Sequence, residues 1–289
     1  MTRNDEIKRL AKLAAQIRKD VVEMIGCDGQ TGHLGGSCSS ADIIAALYGS
    51  VMTHKPEAPD FPGRDKFLCS KGHAAIAQYA ALAECGYFPR GELLTIKRLG
   101  SMLQGHPDRL KTPGIEAGTG SLGQGLSIAN GLALAMRLDG SDRKVFCLMG
   151  DGEIAEGQIW EAAMASVNFK LGNVVGILDN NKMQATGFIR DRFMTDPLPD
   201  KWRGFGWRVV ETDGHDIGAL LDAFAEARES RGVPVVLIAD TVKGKGVSFA
   251  ENQAAFHNGM LSPEQYETAL RELDTVIDGL GARVAPLPE

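Results

Sequence analysis

No stretch of this 289-residue chain approaches the roughly 20 consecutive apolar residues that cross a bilayer. The first fifteen residues interleave Arg3, Asp5, Glu6, Lys8 and Arg9 with single apolar side chains, so they lack the apolar core of a signal peptide. Positive charge is not in excess either. The formal net charge is −6, which argues against a nucleic-acid surface as the main business. Cysteine is sparse and odd in number: Cys27, Cys38, Cys69, Cys85 and Cys147 show no paired spacing, which excludes a disulfide framework or a zinc site. Several of them sit in apolar runs and read as buried thiols. There is no internal repeat, no low-complexity tract and no Ser/Pro-rich linker. What remains is an ordinary globular composition, 44% hydrophobic and 24% charged, pointing to a cytoplasmic protein.

The order of elements carries more. Ile7, Leu10, Leu13, Ala14, Ile17, Val21, Met24 and Ile25 recur at helical spacing and predict an opening amphipathic helix. Gly26 to Ser37 breaks that pattern, and Ser39 or Ser40 is expected to cap a helix running through Ile43, Ile44, Leu47 and Val51. Pro56, Pro59 and Pro62 mark an irregular stretch before Phe67-Leu68-Cys69. Beyond it, strands at 145–149, 174–178, 207–211 and 233–239 alternate with helices at 122–138, 156–169 and 217–228. Short apolar strands between helices predict one α/β domain spanning 1–289, a parallel central sheet with helices on both faces. Residues 260–289, ending Ala285-Pro286-Leu287-Pro288-Glu289, read as a loosely held tail.

Two segments fit the glycine fingerprint of dinucleotide-binding turns, Gly118-Thr-Gly120-Ser-Leu-Gly123 and Gly150-Asp-Gly152-Glu-Ile-Ala155. The second follows a strand and precedes a helix, and Asp179 ends the next strand where a ribose-binding acid of a nicotinamide or flavin enzyme could lie. Asp151 argues against that reading, because a carboxylate in the middle of the turn repels a pyrophosphate. A divalent cation between the two reverses the sign. Mg²⁺ takes few protein ligands and fills its octahedron with water and phosphate oxygens, so a second hard ligand is expected at a neighbouring strand end, where Asn180 and Asn181 stand. The plainer alternative has Asp151 capping a helix and Asn181 making a turn.

The segments Gly32-His33-Leu34-Gly35-Gly36, Ser70-Lys71-Gly72-His73-Ala74, Gln104-Gly105-His106-Pro107, Gly120-Ser121-Leu122-Gly123-Gln124-Gly125 and Gly150-Asp151-Gly152-Glu153-Ile154-Ala155-Glu156-Gly157, with Asn180-Asn181 about thirty residues on, together resemble the transketolase family. The likeness runs from the first helix to His257. It implies thiamine diphosphate as cofactor, held through Mg²⁺ (or Ca²⁺ or Mn²⁺). Asp151 and Asn181 would give side-chain oxygens to the metal and Met183 a backbone carbonyl. Gly152 and Asn181 would approach the diphosphate, Gly120, Ser121 and Leu122 would line the cofactor site, and His73 and His257 would lie near the diphosphate and the reacting centre. His33 and His257 would handle substrate protons, His106 would bind a hydroxyl of the donor ketose, and Glu156 would organise the contact between subunits. Leu34 and Ser121 replace frequent prolines of the family, and the segment 252–258 departs from its pattern. Lys243-Gly244-Lys245-Gly246 suits either a phosphate or a solvated loop. His54 and His215 belong to no motif.

Full-length transketolases carry a second α/β domain and then a third, which this sequence does not contain. The resemblance therefore implies a split enzyme: this subunit with a separately encoded C-terminal, pyrimidine-binding subunit, two copies of each in a heterotetramer, moving a two-carbon ketol unit between sugar phosphates. The rival expectations are another thiamine-dependent enzyme, of the 2-oxo-acid dehydrogenase or deoxyxylulose-phosphate synthase kind, or a non-catalytic scaffold that binds the cofactor.

Overall fold

The computed structural model describes residues 1–26 and 29–281. Cys27 and the Ala285–Glu289 end of the expected tail lie outside them. Helix α1 (Arg3–Gly26) is followed by the short helices α2 (Leu34–Ser39) and α3 (Ala41–Ala46), the latter continuing as a π turn over Leu47–Val51. Then come β1 (Lys66–Cys69), α4 (Ala75–Glu84), a 3₁₀ segment at Arg90–Thr95, α5 (Gln124–Leu138), β2 (Val145–Gly150), α6 (Gly157–Asn168) and β3 (Val174–Asn180). A small ribbon β4 (Met183–Gln184) and β5 (Gly187–Phe188) leads through α7 (Ile189–Arg192) and α8 (Leu198–Gly204) to β6 (Arg208–Asp213), α9 (Ile217–Arg228), β7 (Val235–Asp240) and α10 (Pro263–Gly279).

The main sheet has the order β1-β2-β3-β7-β6 and every pairing in it is parallel. Such a sheet must be covered on both faces, and the pleat divides its side chains accordingly. Phe146 and Leu148 of β2, with Val175 and Ile177 of β3, pack beneath α1, α3, α4 and α9. Val145, Cys147 and Met149, with Val174 and Leu178, face α5, α6 and α8. Gly176 lets the second face close, since a Cβ there would stand 3.1 Å from Met149 and 3.3 Å from Trp207. The predicted parallel α/β architecture is the one observed. The free thiols of Cys38, Cys69, Cys85 and Cys147 are all buried.

Three local expectations are corrected. The glycine-rich break ends early, because Leu34-Gly35-Gly36-Ser37 is already helical. Glycine is a poor helix former, but here its missing Cβ is what the packing needs: one on Gly35 would lie 2.9 Å from the Lys243 stem. Ser40 does not cap with its side chain but donates from Oγ back to the Gly36 carbonyl at 2.8 Å. Phe67-Leu68-Cys69, to which periodicity assigns no element, lies in edge strand β1.

The largest correction concerns the C-terminal segment. Residues 263–279 are not a loose tail but a helix begun by a full capping box between Ser262 and Gln265, with Pro263 in its first turn. It lies along α1, burying Ala269 and Leu273. The Tyr266 ring occupies the space a Cβ on Gly26 would need, and Asp274 pairs with Lys19. Its sequence is mostly polar because only a narrow strip is buried.

Candidate active site

Four parallel strands end side by side, and the register holds their ends level: Gly150 is opposite Asp179, and Asn180 opposite Asp240. The turns that leave those ends carry Lys71 and His73 from β1, Asp151 from β2, Asn181 from β3 and Lys243 from β7. This is the carboxyl edge, where open parallel sheets bind ligands.

Asp179 is the buried hub. It accepts from Lys71 Nζ at 2.5 Å, Ser39 Oγ at 2.7 Å and Asn181 Nδ2 at 2.8 Å on one oxygen, and from Thr241 Oγ1 at 2.5 Å on the other. Burial alone would raise its pKa, but the Lys71 ammonium and these donors hold it below the usual carboxylate range. Wholly enclosed by protein donors, Asp179 has no reach to a ribose, so the dinucleotide alternative loses its acid.

Asn181, latched by Asp179, turns its amide oxygen toward the Met183 N–H at 3.1 Å and keeps a second lone pair. Asp151 accepts from the Gly152 N–H at 2.8 Å and from the Lys182 N–H. Burial and the neighbouring Asp179 charge push its carboxyl up to about 7. The Met183 carbonyl accepts from Lys243 Nζ at 3.2 Å. Lys243 is thus buried in the site, not solvated, and burial lowers its pKa to about 8 while Asp151 counteracts. A positive charge is already stable against the Met183 carbonyl. Among the described residues no cluster of three or more His, Cys, Asp or Glu side chains could hold a metal alone. A hard divalent cation would therefore have to rely on Asp151 and Asn181 side-chain oxygens, the Met183 carbonyl and a bound diphosphate, which is how Mg²⁺ is commonly held. The residues fit that group, and a cation would lower the cost of ionising Asp151.

Beside this cluster three imidazoles form a triangle. His33 and His73 have ring centroids 5.0 Å apart, His33 and His257 5.3 Å, and His73 and His257 5.2 Å. Residues 33 and 257 meet because Gly32 and Gly259 exchange backbone hydrogen bonds at 2.9 and 3.1 Å. Burial foremost, then nearby lysines and other histidines, lowers His33 and His257 to about 4 and His73 to about 2, so all three are neutral near pH 7. Buried Nδ1 of His257 has no partner among the described residues, a polar atom suited to a bound molecule. His106 is exposed, its ring 2.6 Å from where a Cβ on Gly120 would stand.

Glu153, to which the sequence assigns no role, ties the glycine turns together. It accepts from Ser70 Oγ, from the Gly123 N–H at 2.9 Å and from the Gly150 N–H at 3.0 Å. Gly72 lies so close to the other turn that a Cβ would meet the Gly120 nitrogen at 2.7 Å. Gly120 has φ +137° and Gly123 φ +87°, conformations that favour glycine. Ser121 and Leu122 are exposed at the rim, and Glu156 is exposed beside Gly123. A run such as Val-Val-Gly-Ile-Leu-Asp could have flagged Asp179, since a carboxylate that deep requires a buried cation. His54 and His215 are held structurally. His54 bonds to the Tyr48 carbonyl and the Tyr87 hydroxyl, and His215 bridges Asp42 and the Val242 N–H.

The model of the transketolase thiamine diphosphate binding domain matches residues 9–274. The chain belongs to the transketolase family. It is 45% identical to the 6-deoxy-6-sulfo-D-fructose transketolase subunit of a Clostridium species, over 89% of this chain and 94% of that protein. It is 42% identical to an apulose-4-phosphate transketolase subunit of Actinobacillus succinogenes, over 93% of this chain and 96% of that protein. Among solved structures the transketolase of Campylobacter jejuni superposes with a TM-score of 0.84 at 28% identity, covering 97% of this chain. This transketolase-type chain spans 46% of that solved protein, about half its length. It matches subunits of its own size almost end to end. No helix among its described residues is long and apolar enough to cross a membrane.

Proposed function

We propose that this chain is the diphosphate-binding subunit of a two-subunit transketolase that moves a two-carbon ketol unit from a ketose bearing an anionic group to an aldose acceptor. The observation that carries the proposal is the neutral imidazole triangle of His33, His73 and His257 beside Asp151, Asn181 and Lys243 at one sheet edge. Asp151, Asn181 and the Met183 carbonyl would hold Mg²⁺, with Ca²⁺ or Mn²⁺ as substitutes. Gly152, Asn181, His73 and His257 would face the diphosphate, and Gly120, Ser121 and Leu122 the rest of the cofactor. Bound thiamine diphosphate supplies the electron sink for the two-carbon unit.

The protein's own part is binding and proton handling. His33 and His257, neutral at pH 7, can take a proton from a sugar hydroxyl at a ring nitrogen and return it, which imidazolium cannot do. His106, beside the Gly120 turn, would fix a donor hydroxyl. Exposed Glu156 and Leu122 would be covered by a neighbouring subunit. The names of the two relatives specify sugars with a sulfonate and a phosphate, and both relatives are subunits, which supports a separately encoded partner. That partner would be the C-terminal, pyrimidine-binding subunit, with two copies of each assembled in the cytoplasm.

The test is mass spectrometry of what co-purifies from native lysate with thiamine diphosphate and Mg²⁺, followed by ketol-transfer assays with and without the captured partner. A stoichiometric transketolase-like C-terminal subunit, and activity only in its presence, is expected. Full turnover by the isolated chain would overturn the two-subunit reading.

A further inference from the structure

Three turns of the site come from different elements, and one side chain joins them. Glu153 lies in the 3₁₀ turn that follows Asp151 and Gly152, and it is only 3% exposed. One of its carboxylate oxygens accepts from the Gly123 N–H at 2.9 Å and from Ser70 Oγ, and the other from the Gly150 N–H at 3.0 Å. Two of these partners are backbone amides, which can only donate, so they hold the ionised, acceptor-only form of the side chain. Gly123 is the N-cap of α5, at φ +87°, and has no side chain with which to cap that helix. The Glu153 carboxylate takes the cap's place, and its charge suits the positive end of a 15-residue helix.

The two backbone partners differ in how else they are held. Gly150 ends β2 in register with Asp179 of β3, and the Asp151 N–H donates to the Asp179 carbonyl at 3.3 Å. The Gly120–Gly123 turn lies outside the sheet and has no strand ladder to set its height. It is pressed against the Ser70–His73 turn: a Cβ on Gly72 would meet the Gly120 nitrogen at 2.7 Å, and one on Gly125 would run into Ser70 Oγ. Glu153 then ties it by hydrogen bonds to the β2 edge. We infer that Glu153 is a positioning residue, which fixes the Gly120–Gly123 turn relative to the Asp151–Gly152 edge so that both ends of one cofactor fit at once. The inference rests on the cofactor site proposed above. There the diphosphate needs only the strand ends, whereas the rest of the cofactor needs the glycine turn at the right distance from them.

The test is calorimetric titration of the assembled complex in Mg²⁺ with two ligands. Thiamine diphosphate spans both turns, and inorganic pyrophosphate reaches only the strand ends. In Glu153→Gln one acceptor oxygen becomes an NH₂ group. Whichever way the amide turns, the Gly123 or the Gly150 N–H loses its acceptor and the tie is broken. Thiamine diphosphate should bind about tenfold or more weakly, the scale of one buried donor left unpaired, with pyrophosphate unchanged within about threefold. Equal weakening for the two ligands would overturn the inference, showing that Glu153 only supports the fold, and so would an unchanged affinity for thiamine diphosphate. If wild type binds neither ligand, the cofactor reading fails first. In that case, or if Glu153→Gln does not assemble, amide hydrogen exchange of the wild-type complex without cofactor decides. Slow exchange at both Gly123 and Gly150 is expected, and exchange at Gly123 as fast as in an open loop would refute the tie.

Discussion

Replacing Asp179 with asparagine should do damage of two separable kinds. The substitution keeps the shape but leaves the Lys71 ammonium, 2% exposed, with no opposite charge. It also sets an amide against the donors of Ser39, Thr241 and Asn181. Breaking one side of a buried ion pair costs about 3–5 kcal/mol. Lys71 would keep only neutral acceptors, the Gly36 carbonyl at 2.8 Å and the amide oxygen of the new side chain, for which the other donors compete. Urea unfolding, followed through the fluorescence of Trp160, Trp202 and Trp207, reads the loss. The double substitution Lys71→Met with Asp179→Leu removes both charges and should recover most of the stability, since an apolar pair of similar volume is often neutral. It should not recover the cofactor, because Asn181 loses the carboxylate that orients its amide. Disrupting a second-layer partner of this kind typically weakens metal affinity by about 10–100-fold. Titration of thiamine diphosphate with excess Mg²⁺ into the assembled complex measures this. A single-variant cost below about 1 kcal/mol, or full cofactor affinity in the double variant, would refute the reasoning.

Asp20 governs a pH dependence far from the site. Burial and the nearby Glu84 charge raise its carboxyl to about 7, against the pull of Arg90. A pKa raised on folding means stability is full below the unfolded value near 4 and falls as pH rises through about 7. Urea midpoints at pH 5 and pH 8 should differ in wild type, the latter being lower, and Asp20→Asn should flatten the difference. Gly72→Ala puts a Cβ 2.7 Å from the Gly120 nitrogen, backbone that cannot step aside, and should cost about 1–3 kcal/mol in urea unfolding and weaken cofactor binding. His215→Leu strands the Val242 N–H, which now donates to the ring at 2.8 Å, and leaves Asp42 short of a donor. The variant should lose about 1–3 kcal/mol of stability and bind cofactor more weakly through the displaced Lys243 loop, whereas unchanged affinity would dissociate that loop from His215.

The parallel sheet was legible because strands such as Val174 to Leu178 are apolar on both faces and follow helices of clear period. β1 was not, since four residues between Pro62 and Gly72 leave no room for periodicity to show. The helix over Leu34–Ser39 was hidden for another reason: its glycines answer to Lys243 and His73, both distant in sequence. The Asp151–Asn181 pair could be argued from chemistry alone, because a carboxylate in a phosphate turn demands a cation. The imidazole triangle could not be derived that way, since it depends on the bridge between Gly32 and Gly259. Lys243 illustrates the same limit. A Lys-Gly-Lys-Gly stretch looks solvated until the turn places Lys243 inward, and the polarity of α10 concealed how its few apolar residues close on α1.

That closure has a bearing on biosynthesis. Helix α1 is covered by α10, made about 240 residues later, through Tyr266 over Gly26 and Asp274 on Lys19. At about 5–20 residues per second, the ribosome needs on the order of tens of seconds to travel from one to the other. Throughout that interval one flank of the newborn α1 has no cover, and the contact that seals it spans nearly the whole chain, the kind that forms slowly. Closure of that flank of α1 therefore waits on residues 263–279, and a nascent chain stalled before Pro263 offers chaperones a bare strip on α1.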